Sequence, residues 1–128
     1  MDRKTFDAGL EIRRAVLGAE YVDASIAGAD DFTRPLQELV TQYVWGEIWG
    51  RPGLDRRTRS IVNLGMIAAQ SRPHELELHV RGALRNGVTR TEIREIFLQV
   101  AVYCGMPAAL EAFKAARKVF AEIDPEKK

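Results

Sequence analysis

The sequence has almost no cysteine, no marked charge of either sign and no long apolar run, and each shortage excludes a class of protein. A single cysteine, Cys104, in 128 residues excludes an internal disulfide framework and favours a cytoplasmic protein. The 19 Lys and Arg residues nearly balance the 18 Asp and Glu residues, so neither nucleic acid nor an anionic membrane is the expected partner. No apolar run approaches the roughly 18 residues of a membrane span, and the N-terminus has no apolar signal segment.

Apolar residues recur at helical spacing along most of the chain, and no segment alternates for long enough to predict a strand. We therefore predict an all-α fold, with one domain over residues 1–128, about six helices and frayed ends at residues 1–5 and 124–128. A polar stretch is expected between the first helix, which ends near Gly18, and the second. The predicted helix boundaries are Thr33 (N-cap of the second), Asp55 (N-cap of the third), Asn86-Gly87 (C-cap of the fourth) and Thr89 to Glu92 (capping box of the fifth).

His79 stands where the helical pattern calls for an aliphatic residue. In the predicted fourth helix it shares one apolar stripe with Leu76, Val80 and Ala83. A titratable ring that faces a core must be hydrogen-bonded or lose its charge. Glu75 stands one turn earlier and should raise the basicity of the ring. The pair is either a structural contact or a proton donor and acceptor, and the residues alone leave both open.

A second unusual cluster lies at the end of the predicted second helix. Trp45, Glu47, Trp49 and Arg51 lie within seven residues, ahead of the turn signal Pro52-Gly53. Two tryptophans, a carboxylate and an arginine are suited to line a pocket for a small anion. The alternative is that the tryptophans anchor the core or an interface.

Other kinds of chemistry find little support. His74 and His79 are five residues apart and lie on different helical faces, so no metal site is predicted. Cys104 matches the core template of the fifth helix, which predicts a buried and inert thiol. The sequence has no Cys-x-x-Cys motif, no serine nucleophile elbow and no phosphate-binding loop.

Two helices carry apolar residues beyond their core stripe. Trp45 and Trp49 lie beside the stripe of the second helix, and Leu98 and Val102 lie outside that of the fifth. A small helical domain with two apolar faces usually buries the second face against another subunit. We therefore expect a homo-oligomer, although a wide core that uses both faces would give the same pattern.

Four runs of the chain form a recognisable set: Trp45-Gly46-Glu47-Ile48-Trp49, Arg51-Pro52-Gly53-Leu54-Asp55-Arg56-Arg57-Thr58-Arg59, Glu75-Leu76-Glu77-Leu78-His79-Val80-Arg81-Gly82-Ala83 and Tyr103-Cys104-Gly105-Met106-Pro107-Ala108-Ala109. Together they resemble the carboxymuconolactone decarboxylase family, and the similarity extends from about Phe6 to Phe120. The wider superfamily includes alkylhydroperoxidase D, which does thiol chemistry with a Cys-x-x-Cys-x-x-x-His motif. When that motif is aligned by its histidine, the cysteine positions fall on Arg72 and Glu75, so the chain resembles the decarboxylase branch.

The resemblance implies an alkylhydroperoxidase D-like helical fold, a trimer or hexamer, and decarboxylation of γ-carboxymuconolactone in protocatechuate catabolism without a cofactor. That substrate is a dianionic lactone, and the product is β-ketoadipate enol-lactone. Alternatives are an alkylhydroperoxidase-type reductase, a decarboxylase for another lactone, or a non-catalytic protein with the same fold. We hypothesise these roles: His79 as proton donor or oxyanion partner, Glu75 as its orienting group, Glu47 as a rival proton donor, Arg51 and Arg81 as carboxylate ligands, and Trp45 and Trp49 as pocket walls.

Overall fold

A computed structural model describes residues 1–124, and this part of the chain is helical almost throughout. The helix Arg34–Leu39 continues without a break into a π-helical segment, Val40–Ile48. The all-α prediction is confirmed. The helices are α1 (Arg3–Leu17), α2 (Ala19–Ala27), α3 (Arg34–Leu39), α4 (Arg56–Ala69), α5 (Pro73–Arg85), α6 (Arg90–Cys104) and α7 (Met106–Ile123). Within the described residues, none of these helices has the length and apolar character to span a membrane.

The chain forms two compact units, Met1–Arg56 and Arg57–Lys128. In the first unit, α1 packs along the π-helical segment, and glycines allow the two backbones to meet. A Cβ atom added to Gly9 would lie 2.1 Å from the carbonyl oxygen of Thr41. A Cβ atom added to Gly46 would lie 2.4 Å from the carbonyl oxygen of Thr5. Both separations are far below van der Waals contact, so only glycine permits this approach.

The structure differs from three local predictions made from the sequence of the first unit. The stretch after Gly18 was expected to be a polar segment without a helix, but it forms α2. Gly18 at φ +95° turns the chain, and the buried side chain of Val22 anchors the new helix. Residues 3–5, expected to fray, belong to α1. The hydroxyl of Thr33 makes no capping bond; it accepts from the backbone N–H of Asp30 at 3.0 Å instead. Beyond Asp124, the predicted frayed tail lies outside the described residues.

The second unit has an aliphatic and aromatic core in which α5 and α6 both pack against α7. Small alanines along α7 let its neighbours approach closely. The predicted helix ends are confirmed: Gly87 has φ +90°, and Thr89 and Glu92 exchange both bonds of a capping box. Side chains that are at most 2% exposed include Leu64, Leu76, Val80, Ile93, Phe97, Ala112 and Val119.

Candidate active site

His79 lies on the side of α5 predicted from its sequence. Leu76, Val80 and Ala83 are at most 2% exposed, which confirms the apolar stripe. The His79 side chain is half-buried, and its Nδ1 atom is fully buried. The imidazole is therefore partly withdrawn from water without being sealed in the core.

Burial dominates the electrostatics of this ring. It lowers the pKa of His79, and the nearby Glu75 carboxylate raises that pKa by a smaller amount. The predicted contribution of Glu75 is therefore present, but burial outweighs it and the net pKa is lowered. Desolvation of the imidazolium outweighs the attraction of Glu75, which is itself exposed to water. The lowered pKa favours the neutral ring, which has one N–H donor and one nitrogen acceptor.

Arg81 lies on a different face of α5 from His79. Two residues along a helix correspond to a rotation of about 200°, so these side chains leave the helix in nearly opposite directions. Arg81 donates to Glu122 on α7, and one turn earlier Glu77 pairs with Lys118 at 3.2 Å. This face of α5 is therefore tied to α7 by two ion pairs. A substrate carboxylate at Arg81 would compete with Glu122 for the guanidinium.

The two tryptophans come together inside the first unit. Their ring centroids are 4.7 Å apart and their planes are inclined by 28°. Trp45 is 3% exposed and Trp49 is 6% exposed. The backbone N–H of Trp49 donates to the carbonyl of Val44, five residues earlier, at 3.0 Å, which is the bond of a π-helix. The fold of the single chain thus buries both rings, which agrees with their reading as core anchors.

Glu47 and Arg51 belong to the same unit but not to the stacked pair. Glu47 is exposed and lines a concavity of about 290 Å³ together with Glu38, Gln42 and Tyr43. Arg51 is exposed just beyond the π-helical segment, and its backbone N–H donates to Ile48 at 3.1 Å. The candidate residues therefore divide between the units. Trp45, Glu47, Trp49 and Arg51 lie in the first, and Glu75, His79 and Arg81 lie in the second.

Cys104 is exposed, so the prediction of a buried thiol was wrong. Its position fits the apolar period of α6, but it is the last residue of that helix, where Gly105 at φ +107° turns the chain into α7. Cys104 lines a shallow concavity of about 300 Å³ with Ile61, Val62 and Tyr103. Within residues 1–124, no three His, Cys, Asp or Glu side chains are grouped so that they could hold a metal ion.

Each unit also contains a buried polar contact that the sequence analysis missed. In the first, Arg13 is only 5% exposed, and its Nη1 donates to Gln37 at 2.9 Å and to Thr41 at 3.1 Å. Burial lowers the pKa of this guanidinium. In the second, Asn86 donates to the fully buried Ser60 at 2.9 Å and fixes the end of α5 against α4. The sequence could have indicated both contacts, because each involves a charged or polar residue at a position that the helical period assigns to the core.

Comparison with known proteins places this fold in a family. The model of the carboxymuconolactone decarboxylase family matches residues 34–118, so the chain belongs to that family. It is 49% identical, over 96% of its length and 86% of the relative, to the nitrosuccinic acid decarboxylase npaB of Metarhizium robertsii. It is 40% identical, over 98% of its length and 96% of the relative, to the 4-carboxymuconolactone decarboxylase of Acinetobacter baylyi. These matches confirm the resemblance and the expectation of a carboxy-lyase.

Proposed function

We propose that this chain decarboxylates γ-carboxymuconolactone to β-ketoadipate enol-lactone without a cofactor. The proposal is supported by near full-length similarity to a decarboxylase named for that substrate. The structural observation that carries it is the half-buried imidazole of His79, with Nδ1 withdrawn from water and Glu75 close by. An imidazole whose burial favours the neutral form is suited to stabilise, by hydrogen bonding, an anion that forms during the reaction.

The substrate supplies its own electron sink. As the C–C bond to the leaving carboxylate breaks, its electron pair moves through the ring C=C and onto the lactone carbonyl oxygen. Carbon dioxide departs and a dienolate remains. A proton then adds to the α-carbon, and the electrons return to form the enol-lactone. The protein has to hold the remaining carboxylate, stabilise the developing oxyanion and control that proton.

The lowered pKa of His79 favours the oxyanion role over that of an imidazolium acid. A neutral imidazole donates one N–H hydrogen bond. Because it is uncharged, exclusion of water from the site does not disfavour it as it would an imidazolium. In this proposal the N–H of His79 faces the lactone oxygen, and Glu75 holds the ring in the matching tautomer. The assignments of Glu47 as proton donor, of Arg51 and Arg81 as carboxylate ligands, and of Trp45 and Trp49 as pocket walls remain predictions.

The role of His79 is tested with substitutions of both histidines. His79→Gln keeps a polar side chain of similar size and removes the imidazole, and His74→Gln is the matched control at an exposed position of the same helix. We expect kcat to fall about 100-fold or more for His79→Gln, because it removes an oxyanion partner. His74→Gln should behave as wild type. The measurement is an ultraviolet assay on γ-carboxymuconolactone generated in situ. Turnover by His79→Gln within a few-fold of wild type would contradict the assignment.

A second candidate substrate is nitrosuccinic acid, because the chain is 49% identical to a decarboxylase named for it. The chemistry is similar. In nitrosuccinate one carboxylate is attached to the carbon that bears the nitro group, so its loss as carbon dioxide leaves a nitronate. Both compounds are dicarboxylates that lose one carboxylate, pass its electron pair to an acceptor group and keep the other carboxylate. The ratio of kcat/KM for the two substrates, measured on the same preparation, decides between them. Turnover of neither would reject both.

We also propose that the chain assembles as a homo-oligomer, as a trimer or hexamer, in the cytoplasm. Near the end of α6 and the start of α7, large apolar side chains remain exposed: Leu98 (47%), Val102 (80%), Tyr103 (82%) and Met106 (61%). A second copy of the chain would cover this surface. The exposed thiol of Cys104 suits a reducing compartment. Sedimentation of wild type and Val102→Lys tests the assembly, and a monomeric wild type would refute it.

A further inference from the structure

A groove on α7 combines an apolar floor with a cationic rim, and its lining does not include the proposed catalytic histidine. It has a volume of about 580 Å³. Its lining includes Leu110, Phe113 and Phe120, and its charged residues are Arg90, Lys114, Arg117 and Lys118. None of the residues lining it is acidic. We propose that this groove binds a small amphipathic carboxylate, with an acyl or aromatic body on the floor and the carboxylate at the rim.

The floor is rigid and apolar. Phe113 packs edge-to-face on the fully buried Phe97, with ring centroids 5.8 Å apart, so the core fixes its ring. Phe120 is covered by the guanidinium of Arg90, whose Cζ lies 4.5 Å from the ring centroid. Leu110 remains 65% exposed at the other end. An apolar chain lying here would remove Leu110 and the two ring edges from water.

The rim has more positive charge than the neighbouring carboxylates neutralise. Lys118 pairs with Glu77 at 3.2 Å, and Arg90 pairs with Asp124 at 3.5 Å. Within residues 1–124, no carboxylate lies within ion-pairing distance of Lys114 or Arg117. Lys114, Arg117 and Lys118 occupy positions i, i+3 and i+4, so like charges are neighbours on one helical face, which mildly destabilises the helix. A bound carboxylate would relieve this repulsion.

The ligand is defined by both features together. The apolar floor gives no advantage to a bare inorganic anion, and the cationic rim gives none to a neutral hydrocarbon. The volume lies within the range of small-molecule sites, so an acyl or aryl carboxylate of modest size fits. Binding in this groove does not depend on decarboxylation, because every residue that lines the groove lies on α7 or at the start of α6.

The test uses octanoate as probe and octanamide as its neutral analogue, with isothermal titration calorimetry and amide chemical shifts. We expect octanoate to bind wild type saturably, with shifts concentrated on α7, and octanamide to bind at least about tenfold more weakly. The double variant Lys114→Gln/Arg117→Gln should lose about tenfold in affinity for octanoate. Lys4→Gln/Arg94→Gln removes the same total charge elsewhere and should bind as wild type, and so should His79→Gln.

A further variant separates an amphipathic site from a simple anion site. Leu110→Gln keeps the cations and removes an exposed apolar wall, so it should weaken octanoate binding while the helix content stays unchanged by circular dichroism. Equal affinity of wild type and Lys114→Gln/Arg117→Gln for octanoate would overturn the proposal. So would equal binding of octanamide, an unchanged affinity in Leu110→Gln, or the absence of saturable binding.

Discussion

The contact between α1 and the π-helical segment gives the sharpest prediction for stability. Alanine at Gly9 would place a Cβ atom 2.1 Å from the Thr41 carbonyl oxygen and 2.6 Å from the backbone nitrogen of Gly46. These are backbone atoms, which cannot rotate away as the end of a flexible side chain could. The helices would have to separate, and the buried bond from Arg13 to Thr41 would be stretched with them.

The size of the effect follows from two opposing terms. Overpacking a well-packed contact costs about 1–3 kcal/mol, and a backbone clash belongs at or above the upper end. Alanine gains back up to about 1 kcal/mol over glycine in helix propensity. We therefore expect Gly9→Ala to lower the free energy of unfolding by about 2 kcal/mol or more. Gly46→Ala, whose Cβ would lie 2.4 Å from the carbonyl oxygen of Thr5, should behave in the same way.

Urea unfolding followed by tryptophan fluorescence measures this effect directly. The two tryptophans of the chain, Trp45 and Trp49, both lie in the first unit. The matched control is Gly65→Ala on α4, where an added Cβ would meet no atom within 4 Å. This control should be as stable as wild type or up to about 1 kcal/mol more stable. If Gly9→Ala were as stable as Gly65→Ala, the close approach of the two backbones would be wrong.

Four further predictions concern the titration of His79, a buried polar contact and a helix cap. The folded-state pKa of His79 is lowered below its ordinary value of 6.5, so stability should decline as pH falls below that value, and His79→Gln should flatten the decline in urea titrations. For the same reason kcat/KM should fall on the acid side; a rise there would indicate an imidazolium acid. Thr41→Val leaves Arg13 short of an acceptor and should cost about 1–3 kcal/mol in urea unfolding, whereas Arg13→Met should cost less. Thr89→Ala removes the cap of α6 and should cost about 1 kcal/mol by thermal unfolding.

The sequence predicted the second unit better than the first. In the second unit the apolar period of α5 matches the buried stripe, and the chemistry of Gly87 and of Thr89 with Glu92 marks helix ends that the structure confirms. These features are local, because each depends on residues within about one or two turns. In the first unit α2 was missed, since only Val22 among its residues is buried and a single anchor leaves little periodic signal.

The candidate site shows the same division. The sequence was sufficient to identify His79 as an unusual inward-facing residue with Glu75 beside it. The sequence could not predict that the pKa of that ring is lowered, because desolvation depends on how closely other side chains exclude water. The sequence also could not predict the ion pair of Arg81, whose partner Glu122 is 41 residues away in the chain.

The sequence by itself determined the helical class, most helix boundaries, the inward position of His79 and membership of a decarboxylase family, because these follow from local periodicity, capping chemistry and motif order. Only the tertiary structure decided the direction of the pKa shift of His79, the pairing of Arg81, the exposure of Cys104 and the close contact of Gly9 with the π-helical segment. Each of these depends on which distant atoms come within a few ångströms, and water exclusion and ion pairing are set by that proximity.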